Sequence, residues 1–514
     1  MPIPDIPEQF NAVEAFIDKH LAAGRGDRVA LCWNDQTVTY AQLAANVNRV
    51  GNVFLRLGIR PEERVLLAVL DSPEFVYSFW GALKIGAVPV PVNTFLCTDE
   101  YAYLLENSRA SAFVVAQEVW PTVASLSTPR LRSRIVVGNG GQDALSFWTL
   151  IEKESATLEP ELTDRDDMAL WLYSSGSTGT PKGVIHLHRD LLYCAETYAK
   201  EVLGIGPGDV TFSASRLFFS YGLGGGLTFA LHAGATAALV SARPTPEGVY
   251  ATIHRYRPTI FFGVPTLYAA LLQMKGIEQK YDLSSLRLCV SAGEALPAEL
   301  FKQWRERFGI EILDGIGSTE MLHIFVSSVP GKCKPGSCGF PVPGYEVKIT
   351  GEKGEPSGEG EIGNLQVRGA SAFAEYWRIP ELTAQTKHGD WIVTGDKFFC
   401  DSDGYYHYCG RADDMLKVAG MWVSPMEVEN ALLGHPQVAE AAVVGATDER
   451  GLSYAVAHVV LRGNIPGSEK LAAEICEHVK ARLVSYKVPR EVRFCGELPK
   501  TVTGKIQRFK LRGG

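Results

Sequence analysis

Apolar positions recur in two rhythms along the chain. Arg28-Val-Ala-Leu-Cys-Trp33 and Gln36-Thr-Val-Thr-Tyr40 alternate around Asn34-Asp35, which predicts a hairpin. From Tyr40 to Leu57 the apolar residues take helical spacing, and the pattern stops at Gly58. Arg64-Val-Leu-Leu-Ala-Val-Leu70 is apolar throughout, as in a strand buried on both faces. A helical stretch from Pro73 to Ile85 follows, then Gly86-Ala-Val-Pro-Val-Pro-Val-Asn93, Ala112-Phe-Val-Val-Ala116 and Arg134-Ile-Val-Val137. Strands alternating with helices imply βαβ units and a parallel sheet.

The same rhythm returns further on. Met168-Ala-Leu-Trp-Leu172 and Val184-Ile-His-Leu-His188 read as strands, and Asp190 to Val202 as a helix. Asp209–Ser213, Ala237–Val240, Thr259–Gly263 and Leu286–Val290 are further strands, so residues 170 to about 335 form a second α/β layer system. From 339 to 409 the helical pattern vanishes. Short strands at 345–349, 363–368 and 404–408 lie between Gly-rich turns and predict a small β-barrel or sandwich. An α+β unit of about 100 residues follows Gly410-Arg-Ala-Asp-Asp414. The fold expected is α/β: an N-terminal domain over 1–410 of two layered subdomains plus the small barrel, a hinge at 411–414, and a small mobile C-terminal domain over 415–514.

Composition narrows the class without changing this picture. A chain of 514 residues needs more than one core. Hydrophobic residues at 46% and charged residues at 21% are those of an ordinary globular protein. A net charge of −8 disfavours a nucleic-acid partner. The ten cysteines lack metal-ligand spacing and read as reduced thiols of a cytoplasmic protein. Met1-Pro-Ile-Pro-Asp5 has no basic or apolar leader pattern, and no apolar run is long enough to cross a membrane, so neither a signal peptide nor a membrane span is expected.

The chemistry concentrates in a few polar stretches. Tyr173-Ser-Ser-Gly-Ser-Thr-Gly-Thr-Pro-Lys-Gly183 holds five hydroxyl side chains, flexible glycines and Lys182. Backbone amides and hydroxyls there can wrap an anion that the lysine neutralises. It is not a Walker A loop, because Pro181 precedes Lys182 and Gly183 follows it. Ser291-Ala-Gly-Glu-Ala-Leu296 joins a strand to a helix, and Gly293 there lets a flat ligand approach the backbone. In Asp314-Gly-Ile-Gly-Ser-Thr-Glu320, Thr319 can bond a phosphate, and Glu320 is a hard oxygen ligand suited to Mg²⁺. In Val393-Thr-Gly-Asp396 an Asp at a strand end can accept from two ribose hydroxyls, although many such triplets are plain turns. Arg411 can reach sugar or phosphate, Asp413 sits where a dihedral change would swing the last unit, and Gly420 leaves room for a threaded ligand. Lys505, in Thr503-Gly-Lys505, matters only if that unit docks over the cleft.

These stretches occur in the order of the adenylate-forming superfamily of acyl-CoA synthetases, adenylation domains and luciferases, which the chain resembles from about residue 30 to about residue 510. Leu217-Phe-Phe-Ser-Tyr-Gly-Leu223 and Gly315-Ile-Gly-Ser-Thr-Glu-Met-Leu-His-Ile-Phe325 look most like benzoate-CoA ligases, although Ser220 stands where those usually carry Ala, and Ile316 where many relatives carry an aromatic residue. The resemblance implies that a carboxylate attacks the α-phosphate of ATP and that the thiol of coenzyme A then displaces AMP. It implies that Ser174, Ser175, Gly176, Ser177, Thr178, Gly179, Thr180 and Lys182 hold the β- and γ-phosphates. Thr319 would hold the α-phosphate and Glu320 the Mg²⁺, while Asp396 and Arg411 take the ribose, with Lys417 as a second candidate. Gly293, Glu294, Ala295, Asp314, Gly315, Ile316 and Ser318 complete the nucleotide site.

Ser220, Tyr221, Gly222, Ala292, Gly317, His323 and Ile324 would form the acyl pocket, a slot for a ring. Lys505 would bridge carboxylate and α-phosphate, Asp413 would be the hinge, and Gly420 and Trp422 would line a tunnel for coenzyme A. Acetylation of Lys505 by a lysine acetyltransferase, reversed by a deacetylase, would then switch the enzyme off. The expected substrate is benzoate or a small hydroxy- or aminobenzoate, and the expected state is monomer or homodimer. Two other readings use the same residues: an aryl-acid adenylation enzyme that loads a carrier protein, and an inactive nucleotide-binding regulator.

Overall fold

The computed structural model describes residues 5–141, 144–175, 180–418, 421–448, 453–463, 465–500 and 506–512. Gly176, Ser177, Thr178, Gly179, Gly420 and Lys505 lie outside the described residues, as do the side chains of Ser175, Lys417 and Trp422.

Three large sheets and a two-stranded hairpin build the N-terminal part. The strands Val88–Pro91, Arg64–Ala68, Ala112–Ala116, Ser133–Val137 and Leu145–Ser146 form a wholly parallel sheet in that order. Their apolar runs are buried on both faces, as the sequence pattern requires. The helix Tyr40–Arg56 starts on Thr39, whose side chain accepts from the Gln42 amide in a capping box. Its buried residues recur at helical spacing, from Tyr40 through Leu43, Val47 and Val50 to Phe54. Gly81, on the helix Pro73–Lys84, lets the two helices approach closely: a Cβ there would lie 2.9 Å from Val50 Cγ1.

The second sheet has nine strands. Its parallel centre runs Ile312–Gly317, Leu288–Ser291, Ile260–Gly263, Val210–Ser213, Thr236–Leu239 and Val29–Trp33. Antiparallel strands close both ends: Ile324–Ser327 and Phe340–Pro341 at one, Gln36–Thr39 at the other. The predicted hairpin at 28–40 therefore forms, but it extends the second layer system rather than the first. Leu31 pairs with Ala237, and Trp33 with Leu239.

Between 339 and 411 lies a five-stranded antiparallel half-barrel of Glu346–Thr350, Gly363–Arg368, Trp391–Cys400, Lys387–His388 and Tyr406–Arg411. One helix, Pro380–Thr386, interrupts the stretch expected to hold none. It buries no residue, so it leaves no apolar stripe to read in the sequence. The C-terminal unit holds the three-stranded sheet Val438–Thr447, Ser453–Leu461 and Glu491–Phe494. The helices Pro425–Leu433 and Glu469–Lys480 cover it through Val428, Leu432, Ile475 and Val479. All ten cysteines are free thiols. Among the described residues no helix is long and apolar enough to cross a membrane.

Candidate active site

Parallel strands direct their C-terminal ends to one edge of a sheet, where α/β proteins bind ligands. Here that edge carries Gly263, Ser291 to Glu294 and Gly317 to Glu320. The Tyr221 hydroxyl donates to the carbonyls of Gly263 and Val290, both at 3.0 Å, and so pins the short helix Ser220–Leu223 across the strand ends. His323 lies against this helix. Its ring centroid is 5.7 Å from that of Tyr221 and 4.5 Å from that of Phe229.

Burial holds the His323 imidazole down at about 3, so it is neutral at physiological pH. Its Nε2 donates to the Tyr221 carbonyl at 3.3 Å, which fixes the tautomer, and Nδ1 has no partner among the described residues. Gly224 makes this approach possible, since a Cβ there would lie 2.4 Å from His323 Cδ2. Ala292 and Ile324 are buried beside these groups and Ser220 is half-buried, while Gly317 is exposed at the strand end. A cavity of about 10 Å³ remains among Cys194, Ser220, Gly224, Thr228, Phe229 and His323. A separate surface depression of about 680 Å³, around His254, Tyr281 and Arg307, shares no residue with this site.

The turn Thr319–Met321 is held along its length. Its three successive carbonyls accept from His186 Nε2 at 2.7 Å, the Phe373 amide at 2.8 Å and Ser371 Oγ at 2.9 Å. His186 is in turn fixed by Asp190, whose Oδ2 lies 2.8 Å from Nδ1, and both side chains are fully buried. The Ser318 side chain caps the turn at the Met321 amide. Leu322, which follows, has φ 63, a strained value that turns the chain into His323. The Glu320 carboxylate accepts from the Tyr376 hydroxyl at 2.8 Å.

Opposite this turn stands the two-stranded hairpin Met168–Ser175 with Pro181–Leu187. It carries Ser174 and Lys182 to the same edge, and pairs Ser174 with Lys182. Residues 374–377 run beside its second strand. Ala374 and Trp377 donate to the carbonyls of Ile185 and Gly183 at 2.9 and 2.8 Å, and Glu375 accepts from Ile185 at 3.1 Å.

Asp396 and Arg411 face each other across paired strands, with Oδ1 3.2 Å from Nη1. Asp396 lies inside Trp391–Cys400 rather than at a strand end. Gly395, at φ 75, makes the local kink, and a Cβ there would lie 2.7 Å from Arg411 Nη2. Asp414 is bonded by Arg512, which also donates to the Asp413 carbonyl at 3.2 Å, so the chain's last residues grip the expected hinge.

Asp314 does not face the cleft. It is buried, with Oδ2 3.5 Å from the Leu296 amide and from Cys338 Sγ, so it braces the loop 291–296. Burial pushes its carboxyl up to about 8 against those two donors. A carboxyl raised in the folded state favours folding less as it ionises. Stability therefore falls as pH rises between the unfolded value near 4 and about 8. The melting temperature of Asp314→Asn relative to the parent is expected to rise across that window. Parallel melting curves from pH 5 to 9 would remove Asp314 as the cause.

Among the described residues no cluster of three or more His, Cys, Asp or Glu can hold a metal. A Mg²⁺ here would have Glu320 and the nucleotide's own oxygens, the usual arrangement for this hard ion beside phosphates. The donor set therefore fits it.

The chain matches the AMP-binding enzyme family over residues 19–377, which take in Ser174, Lys182 and the Thr319–Glu320 turn, and the C-terminal domain of AMP-binding enzymes over residues 427–505. The chain belongs to the AMP-binding enzyme family. Among relatives of this AMP-binding enzyme, the benzoate–CoA ligase of Thauera aromatica is 48% identical, over 99% of this chain and 97% of that protein. The 4-hydroxybenzoate–CoA/benzoate–CoA ligase of Rhodopseudomonas palustris is 43% identical, over 100% and 95%. Among solved structures, an anthranilate CoA ligase in complex with anthranoyl-AMP superposes with a TM-score of 0.95 at 45% identity, covering 100% of this chain and 98% of that one. A benzoate CoA ligase from Burkholderia xenovorans gives 0.90 at 44% identity, covering 98% and 100%.

Several residues at this site carry no local signal. Tyr376, His186, Ser371 and Gly224 act through partners far along the chain, and Asp190 acts through His186. His186 alone is conspicuous, as a polar residue inside the apolar run 184–188.

Proposed function

We propose that this AMP-binding enzyme is an ATP-dependent aryl-acid–CoA ligase of the benzoate type. The slot formed by Tyr221, Gly224 and the neutral His323, beside the Thr319–Glu320 turn, carries the reading. The ring edges of Tyr221, Phe229 and His323 line this region, a lining that suits an aromatic acid better than a long flexible chain. The family match and the two aryl-acid ligases at 48% and 43% identity support it.

In the first step a carboxylate oxygen of the acid bonds to the α-phosphorus of ATP and pyrophosphate leaves. In the second the thiolate of coenzyme A attacks the acyl carbon and AMP leaves. Both partners in the first step are anions, so the residues act mainly by neutralising charge and aligning the groups. Ser174, Thr180 and Lys182 grip the departing pyrophosphate, with Ser175, Gly176, Ser177, Thr178 and Gly179 completing that loop. Thr319 holds the α-phosphate, and Asp396 and Arg411 the ribose. Gly293, Glu294, Ala295, Gly315, Ile316 and Ser318 flank the adenosine, and Lys417 is a further sugar contact. Bound through Glu320, Mg²⁺ supplies charge neutralisation at the phosphate oxygens. Lys505 bridges the two reacting anions. The C-terminal unit then turns about 411–414, bringing Gly420 and Trp422 toward the thiol path.

The ring carries at most a small substituent near Ser220. The cavity there measures about 10 Å³, and a water needs roughly 10–15 Å³. That space takes a hydrogen freely and a hydroxyl or amino group at its limit, where Ser220 can bond it. The test is a pyrophosphate-release screen of benzoate, the hydroxybenzoates, 2-aminobenzoate and aliphatic acids, with and without coenzyme A, on the parent and Ser220→Ala. Release with aromatic acids, thioester formed only with coenzyme A, and a several-fold shift of Ser220→Ala toward unsubstituted benzoate are expected. Release without any CoA thioester would overturn the ligase, and equal ratios in both proteins would remove Ser220 from specificity.

A further inference from the structure

Segment 371–377, Ser-Ala-Phe-Ala-Glu-Tyr-Trp, touches both halves of the nucleotide cleft. On one side Ser371 and Phe373 hold the carbonyls of Met321 and Glu320. On the other, residues 374–377 pair with the hairpin strand Pro181–Leu187, which carries Lys182, with Val184 opposite Tyr376. Tyr376 joins the two sides through one side chain. Its hydroxyl donates to Glu320 Oε1 at 2.8 Å, and the Lys182 ammonium lies over the same ring, 5.0 Å from its centroid.

The ring itself has little freedom. Tyr376 is 4% exposed, packs on Phe373 at 4.7 Å, and its amide is bonded by Thr383 Oγ1 at 3.0 Å.

We propose that Tyr376 is a positioning residue that sets the Glu320 carboxylate for the metal–nucleotide complex and seats Lys182 against the pyrophosphate. The inference rests on the aryl-acid ligase reading above. Two effects are separable. The hydroxyl occupies Oε1 and turns Oε2 outward, as a partner behind a metal-binding carboxylate does. The ring face holds the ammonium by cation–π attraction, which keeps the lysine extended without neutralising it. The first effect needs the oxygen and acts only when the metal is present. The second needs only the ring.

Tyr376→Phe deletes the oxygen and keeps the ring, while Tyr376→Leu deletes both. ATP binding is measured by isothermal titration calorimetry, once with excess Mg²⁺ and once with EDTA. Pyrophosphate exchange and thioester formation from supplied benzoyl-AMP are measured alongside. Tyr376→Phe is expected to weaken ATP binding about tenfold with Mg²⁺ and to leave binding in EDTA unchanged. Its exchange rate falls in step, and its thioester formation matches the parent. Tyr376→Leu is expected to add a loss that persists in EDTA. Parent-like Mg²⁺-dependent binding in Tyr376→Phe, or equal losses with and without Mg²⁺, would overturn the proposal. Should the parent bind ATP but adenylate no aryl acid, the ligase reading falls and the calorimetry still decides Tyr376. A parent that binds no ATP would overturn both.

Discussion

Lys505→Ala is expected to cut ATP–pyrophosphate exchange about 10²–10³-fold, and to leave thioester formation from supplied benzoyl-AMP near the parent rate. The magnitude is that of removing one pre-positioned charge opposite a developing anion. The asymmetry follows from the chemistry. In the first step two anions must meet, and a cation between them lowers the barrier. In the second a thiolate attacks a carbon already activated by AMP, and on the proposed rotation Lys505 is no longer needed at the centre. Lys500 pairs with Ile506 across a β-bridge, and Arg508 is held by Glu429 at 2.8 Å, so residues on both sides of Lys505 in the sequence are fixed within the C-terminal unit. Single-turnover assays of both half-reactions check this. Equal losses in the two would mean that Lys505 stays at the centre throughout, and the rotation about 411–414 would be abandoned. Acetylated Lys505 is expected to behave as the alanine variant does in the first half-reaction.

Glu320→Ala is expected to be comparably severe, with adenylation lowered by at least about 10²-fold, and additional Mg²⁺ is not expected to restore it. Among the described residues no cluster of three or more His, Cys, Asp or Glu could hold the ion instead. The lesion should be local. The Glu320 carbonyl keeps its bond from Phe373, and the Thr319 carbonyl keeps its bond from His186, so the turn retains its shape. Loss of the carboxylate therefore tests the metal contact rather than the fold. Exchange rates measured across a Mg²⁺ titration, with a melting curve as control, separate the two. A variant restored by high Mg²⁺ would mean that Glu320 only strengthens binding and is replaceable by the nucleotide's own oxygens.

Residues whose chemistry is carried by their immediate neighbours could be read from the sequence. The Ser-Thr-Glu turn at 318–320 and the Arg411–Asp414 junction follow directly on strands, and the stretch before Lys182 is dense in turn-forming residues. The long-range side of the site could not be read. Tyr376 looks like one aromatic among several, and its meaning lies in Glu320 and Lys182, neither of which is near it in sequence. Gly224 shows as one of three successive glycines, and only His323, a hundred residues on, explains why no Cβ fits there. Asp314 illustrates the opposite error. It sits among residues expected to face the ligand, yet its own side chain is buried beside the Leu296 amide and Cys338. The helix Pro380–Thr386 escaped notice because periodicity reports burial, and that helix buries nothing.

The hairpin at 29–39 completes the edge of the nine-stranded sheet by pairing with strand Thr236–Leu239. During synthesis those first strands leave the ribosome long before their partner exists. Their unpaired edge must wait, exposed, while the whole parallel sheet around Arg64–Ala68 emerges and can close by itself. Such late, distant pairing slows folding and lengthens the time in which an open edge can meet another chain. The order of birth of the strands, and not the finished stability of the enzyme, then sets how readily it can be made at high concentration.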